Sequence, residues 1–127
     1  MKKFSKAWKS SKNPKKQRKY LLNAPLHIRR KFMSAHLSEE LIKKYKRRSL
    51  PIRKGDTVKV LRGSFKNKTG KVEFTNLKKI KVYLDTLHKT KKDGTKSFYP
   101  FHPSKLLITT LNLDDKERKK ILERGKK

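Results

Sequence analysis

The stretch KGDTVKVLRGSFKNKTGKV, Lys54 to Val72, constrains the fold more than any other part of the chain. Val58 and Val60 alternate with Thr57 and Lys59, the period of a strand with one buried face. Lys71 to Thr75 reads as a second strand, with Val72 and Phe74 on one side. In the connecting loop RGSFKNKTG, Gly63 and Gly70 are the expected special backbone positions. Asn67 is the other residue there suited to a left-handed conformation. Downstream, Ile80, Val82 and Leu84 form a third alternating set, with Lys79, Lys81 and Tyr83 facing the other way. HKTKKDGTK is a basic loop with Asp93-Gly94 as its turn signal, and SFYPFHPSKLLITTL supplies two further strands broken by Pro100 and Pro103. Five short strands in about 60 residues predict a small barrel.

The flanks read as helical. In LLNAPLHIRRKFMSAHLSEELIKKY, Asn23 is a candidate cap, Pro25 suits a first turn, and Ile28, Phe32 and Ala35 share a face at helical spacing. Ser38 caps a second short helix, with Glu39 and Glu40 at its positive end and Leu41, Ile42 and Tyr45 on its packing side. Near the C-terminus Asp114, followed by Glu117, makes a capping-box-like start to a third helix carrying Leu113, Ile121 and Leu122. A domain of this size is marginal by burial alone, which is a reason to clamp helices against it.

Charge then limits the function. Of 127 residues, 39 are Lys or Arg and 10 are Asp or Glu, a net charge of +29. Self-repulsion on that scale is relieved by a polyanion, and nucleic acid is the default partner. No acidic residue precedes Glu39, so residues 1–20, with Phe4, Trp8 and Pro14, read as an extended basic arm that orders on its partner. Trp8 suits stacking on a base or ribose. There is no cysteine, which excludes disulfides and zinc fingers. MKKFSKAWKSSK has no following apolar run and does not read as a secretory signal, and no run approaches a membrane span.

An enzyme is not expected. The acids have structural readings at helix starts and turns; Asp56 and Glu73 could meet across strands, as a surface ion pair rather than a catalytic dyad. His27, His36, His88 and His102 lack close metal-ligand spacing, and there is no Walker loop or nucleophile elbow. No cofactor, metal or small-molecule substrate is expected, and the short apolar faces argue against a membrane partner.

Lys54 to Val72 resembles the KOW motif. With NAPLHIRRKFMSAHLSEELIKKYKRRSLPIRKGD, DGTKSFYPFHPSK and LNLDDKERKKILERGKK beside it, the chain resembles the archaeal and eukaryotic form of the universal large-subunit ribosomal protein twenty-four, called twenty-six in eukaryotes. The resemblance runs from about Tyr20 to the C-terminus; it departs at Lys66-Asn67, where the loop often carries Lys-Gly. It implies a mainly β fold: a five-stranded SH3-like (KOW) barrel over 52–112, short N-terminal helices within 21–51, and a C-terminal helix and basic tail over 113–127; the arm over 1–20, read from its charge, precedes the resemblance. It implies a structural role in the cytoplasmic large ribosomal subunit, with large-subunit rRNA near its 5′ region and the exit tunnel, and neighbouring ribosomal proteins, as partners. A part in subunit assembly is also implied.

Arginine bridges phosphates or stacks on bases, and lysine neutralises phosphate. The expected rRNA contacts are Arg62, Lys66, Lys68 and Lys71 from the hairpin, and His27, Arg29, Arg30, Arg47, Arg48 and Arg53 from the helical segment and its linker. Lys12, Lys15, Lys16, Arg18 and Lys19 are expected from the arm, and His102 and Lys105 from FHPSK. The rival readings are a transcription elongation factor, a chromatin-type DNA binder and a membrane-active cationic protein. The first would carry a further domain for polymerase; duplex-DNA competition and liposome binding separate the other two.

Overall fold

A computed structural model describes residues 4–5, 7–8 and 10–124. Residues 1–3, 6 and 9 of the expected arm, and 125–127 of the expected basic tail, lie outside the described residues.

Residues 1–20 are not extended throughout, as the sequence leads one to expect. A helix, α1 (Pro14–Asn23), begins where the Asn13 side chain accepts a hydrogen bond from the Lys15 amide at 3.0 Å and Pro14 fills the first turn. Asn23 therefore ends this helix rather than capping the next. Ala24, just before Pro25, is extended, the conformation a following proline favours. Helix α2 (Leu26–Phe32) starts after Pro25. It stops short of Ala35, which lies instead in strand β1 (Ser34–Leu37) with its side chain buried beside that of Leu37. Helix α3 (Glu39–Tyr45) starts after Ser38, which holds the expected cap position but makes no side-chain capping bond; Tyr45 is buried, and Leu41 and Ile42 pack on the core.

Strand β2 (Ser49–Pro51) pairs antiparallel with β1, Ala35 opposite Leu50. Next come β3 (Thr57–Val60), β4 (Thr69–Asn76) and β5 (Lys81–Leu84), then a hairpin of β6 (His88–Thr90) and β7 (Lys96–Phe98), and finally β8 (Leu106–Thr110). The main sheet has the order β2-β1-β8-β3-β4-β5, with β6 and β7 as a separate two-stranded sheet. Among the described residues only β1 and β8 run parallel, a pairing far apart in sequence, as parallel strands need a long connection. Strand pairing leaves the sheet open, with β2 and β5 at its ends, where the sequence leads one to expect a five-stranded barrel. The fold is mixed: eight strands and four α-helices among the described residues.

The period-two pattern holds through β3, β5 and β8: Val58, Val60, Val82, Leu84, Leu106 and Ile108 are all buried in one core with Met33, Leu37 and Leu50. It fails in β4. The register against β5 shifts between Val72 and Phe74, so Val72 is buried while Phe74 turns outward, at 41 % exposure, onto Tyr83. Ile80 is not in β5 either; it sits in the preceding turn at φ +52°.

Helix α4 (Lys116–Glu123) is capped by Asp115, one residue later than expected, whose carboxylate accepts from the Glu117 amide at 2.9 Å. One face of α4 inserts Leu122 into the core. The same face carries Arg118, one turn earlier. Its guanidinium grips Asp56 with two bonds, 2.6 and 2.7 Å, and donates to the Asn112 and Pro51 carbonyls. Asp56 also accepts from the Arg53 and Asn112 amides, both at 2.9 Å. Asp56 is therefore not at the surface, where the sequence pattern puts it, but is the fully buried partner of Arg118.

Candidate nucleic-acid interface

The hairpin loop between β3 and β4 is a compact turn. The Lys66 and Lys68 amides donate to the Gly63 and Phe65 carbonyls. Two bonds close the loop's base: the Asn67 amide donates to the Val60 carbonyl, and the Val60 amide to the Lys68 carbonyl. Gly63, at φ +99°, and Asn67, at φ +66°, take the left-handed region as expected. Gly70 does not. It is buried in β4, and a Cβ there would lie 2.7 Å from Thr86 Oγ1 and 3.3 Å from Leu84 Cβ, so close approach rather than turning calls for glycine. The turn leaves Arg62, Lys66 and Lys68 exposed. Lys71, in β4, is exposed too, while its amide donates to Asp85.

Facing this loop is the 99–105 segment. Phe101 exchanges two backbone bonds with Val82 of β5, at 2.8 and 2.9 Å, and the Leu61 amide donates to the Lys105 carbonyl at 2.8 Å. A 3-10 turn over Pro103–Lys105, with His102 as its cap, fixes the end of the segment. Between loop and segment lies a cleft of about 270 Å³. Arg62, His102 and Lys105, expected from separate parts of the sequence, line it together. Lys81 and the rings of Phe65 and Tyr99 also line it and were not among the expected contacts. Their signal was present: Lys81 alternates away from Val82, and Tyr99 sits in the aromatic run FYPF.

The rings form one unit. Phe65, Tyr99 and Phe101 lie 4.8–5.8 Å apart by centroid, with Phe101 buried beneath. Lys68 holds its ammonium 5.5 Å from the Phe65 ring. The His102 ring meets Ser104 Oγ at 2.8 Å through Nδ1, which also accepts from the Ser104 amide. Partial burial, then the charges of Lys81 and Lys105, hold its pKa below the ordinary 6.5. The neutral ring therefore has Nδ1 as an acceptor and Nε2 as its N–H donor.

The arm and linker residues divide into two kinds. Lys12, Lys15, Lys16, Arg18, Lys19, His27, Arg30 and Arg48 are exposed. Lys16 and Lys19 line a second cleft with Phe4, Trp8 and Tyr20. Trp8, expected to stack on a base or ribose, packs on Tyr20 at 4.6 Å, so its ring already has a partner within the chain. Three arginines instead knit the fold. Arg29 donates to the Ala24, Leu22 and Lys78 carbonyls; Arg47 donates to the Ile121 carbonyl; Arg53 pairs with Asp115. The Asp115 carboxyl lies below the usual carboxylate range, chiefly because it accepts from the Glu117 amide, with Arg53 adding to the effect.

Sequence comparison gives these positions a context. Residues 11–125 match the model of a family described as the large-subunit ribosomal proteins numbered twenty-six in eukaryotes and twenty-four in archaea. The chain is also similar to the large ribosomal subunit protein uL24 of Methanosphaera stadtmanae, 48% identical over 114 residues, covering 90% of this chain and 97% of that protein.

Proposed function

We propose, for a chain that belongs to the family of ribosomal proteins numbered twenty-six in eukaryotes and twenty-four in archaea, that its basic surface docks on large-subunit rRNA. The protein is a structural constituent of the large ribosomal subunit, not an enzyme. The observation that carries this reading is the near end-to-end similarity to a large-subunit protein. Its place is the cytoplasmic ribosome, and its partners are rRNA and neighbouring ribosomal proteins. The rRNA site lies near the 5′ region and the exit tunnel, and binding there helps the subunit assemble.

Strands β3, β4, β5 and β8, joined by the Val82–Phe101 bridge, support reading 52–112 as the SH3-like unit of the KOW type. That unit acts as a rigid platform. Folded RNA is recognised through phosphates, 2′-hydroxyls and unstacked bases, so the platform's value lies in where it holds its cations. Arg62, Lys66, Lys68 and Lys71 meet rRNA from the hairpin, with His102 and Lys105 beside them. Lys12, Lys15, Lys16, Arg18 and Lys19 meet it from the arm and α1, and His27, Arg30 and Arg48 from the helical segment. Arg29, Arg47 and Arg53 contribute through whatever donors their internal bonds leave over.

The test is competition binding. Large-subunit rRNA should displace labelled rRNA from the protein far better than duplex DNA does at the same salt. The double variant Arg62→Glu, Lys66→Glu should weaken rRNA binding. Equal displacement by duplex DNA would favour a chromatin-type binder instead.

A further inference from the structure

We propose, resting on the RNA-binding reading above, that the cleft between the β3–β4 loop and the 99–105 segment holds one unstacked nucleotide, its base on Tyr99 and its phosphate among Arg62, Lys81 and Lys105. Three features of the cleft carry this. First, three cations from three different elements converge on one concave site of about 270 Å³. A merely solvated surface has no need of such convergence. Second, the floor is aromatic, and a base has a π-face to lay against it. Tyr99 is the better platform of the two accessible rings. Phe65 already has the Lys68 ammonium near its ring, and Phe101 is 3 % exposed. Third, the His102 ring is fixed by Ser104 with Nε2 left as a donor, suited to an acceptor on the base edge or the phosphate.

The walls are set before RNA arrives. The Leu61–Lys105 bond ties the loop to the 3-10 turn, and the Val82–Phe101 bridge ties the segment to β5. Little ordering is then left to oppose binding. A duplex cannot use this site, because its bases are stacked and paired; a loop, bulge or single strand can.

The experiment titrates the full chain with short single-stranded oligoadenylate and, separately, with duplex RNA. Base–aromatic stacking is worth about 1–3 kcal/mol, so Tyr99→Leu, which keeps an apolar side chain over the core, should weaken oligoadenylate binding roughly 5- to 150-fold. Tyr99→Phe should restore it. Duplex binding should change less than about twofold in either variant, since the phosphate contacts elsewhere remain. Lys81→Gln tests the phosphate side without disturbing the rings. It should lower the single-strand salt slope by about 0.7, the value for one phosphate contact. Oligoadenylate affinity unaltered by Tyr99→Leu, or lost equally for duplex, overturns the proposal. Neither result touches the ribosomal assignment, which sedimentation with the large subunit decides on its own.

Discussion

His102 reports on the charge around it. An ordinary histidine takes up its proton near pH 6.5, and in the folded chain burial and the nearby lysines hold His102 below that. The unfolded chain thus binds more protons as pH falls past 6.5. The stability contributed by this group is present above 6.5 and is lost as pH falls through its folded pKa. A phosphate in the cleft would offset the lysine charges and raise the pKa again. An imidazole NMR titration should find a midpoint below 6.5 in the isolated protein, moving upward with oligoadenylate; a midpoint indifferent to RNA would contradict this. Asn67 makes a second residue-scale case. Its φ of +66° costs a β-branched side chain roughly 1–2 kcal/mol. Asn67→Val should lower urea stability by about that amount, while Asn67→Gly should leave it nearly unchanged. Asn67, where the loop often carries glycine, thus takes the left-handed conformation that a glycine would take freely.

Among elements, α4 is attached through a buried ion pair as well as through Leu122. Arg118 and Asp56 are buried, doubly bonded to each other and bonded to backbone on both sides. Removing one partner leaves a buried charge uncompensated, at about 3–5 kcal/mol. Arg118→Leu should cost that much in thermal or urea unfolding. Combined with Asp56→Ala, the loss should fall short of the sum of the single variants, a coupling that a double-mutant cycle reads directly. It should not vanish, because the Arg53 and Asn112 amides also lose their acceptor. This pair is half legible in the sequence. Arg118 stands four residues before Leu122, on the apolar face of its helix, yet in so basic a chain it reads as one more solvated cation. Strand alternation is legible at Val58, Val60, Val82 and Leu84 because one face of each strand is buried. It fails at Phe74, where a bulge reverses the faces, and at Ala35, whose strand is four residues long and pairs with β8, far away in sequence. Of the cleft, Arg62, His102 and Lys105 are legible singly as basic or polar residues in loops. Their meeting with Lys81 and Tyr99 depends on the Val82–Phe101 bridge, a long-range contact with no local signature.

For the whole molecule, charge sets the conditions of binding. A net +29 destabilises the isolated chain by self-repulsion and makes its association with RNA a release of counterions. If about six to ten phosphates are neutralised, affinity for rRNA should fall about a thousandfold to a hundred-thousandfold between about 50 and 200 mM salt. On the proposed reading, the clefts and the tied loop matter within that background because they would decide which phosphates are met. Residence in the large subunit is read most simply by sedimenting a cell lysate on a sucrose gradient, probed for this chain before and after a high-salt wash. The chain should stay with the large subunit through the wash. Migration with polymerase, with DNA, or at the top of the gradient would contradict a ribosomal role.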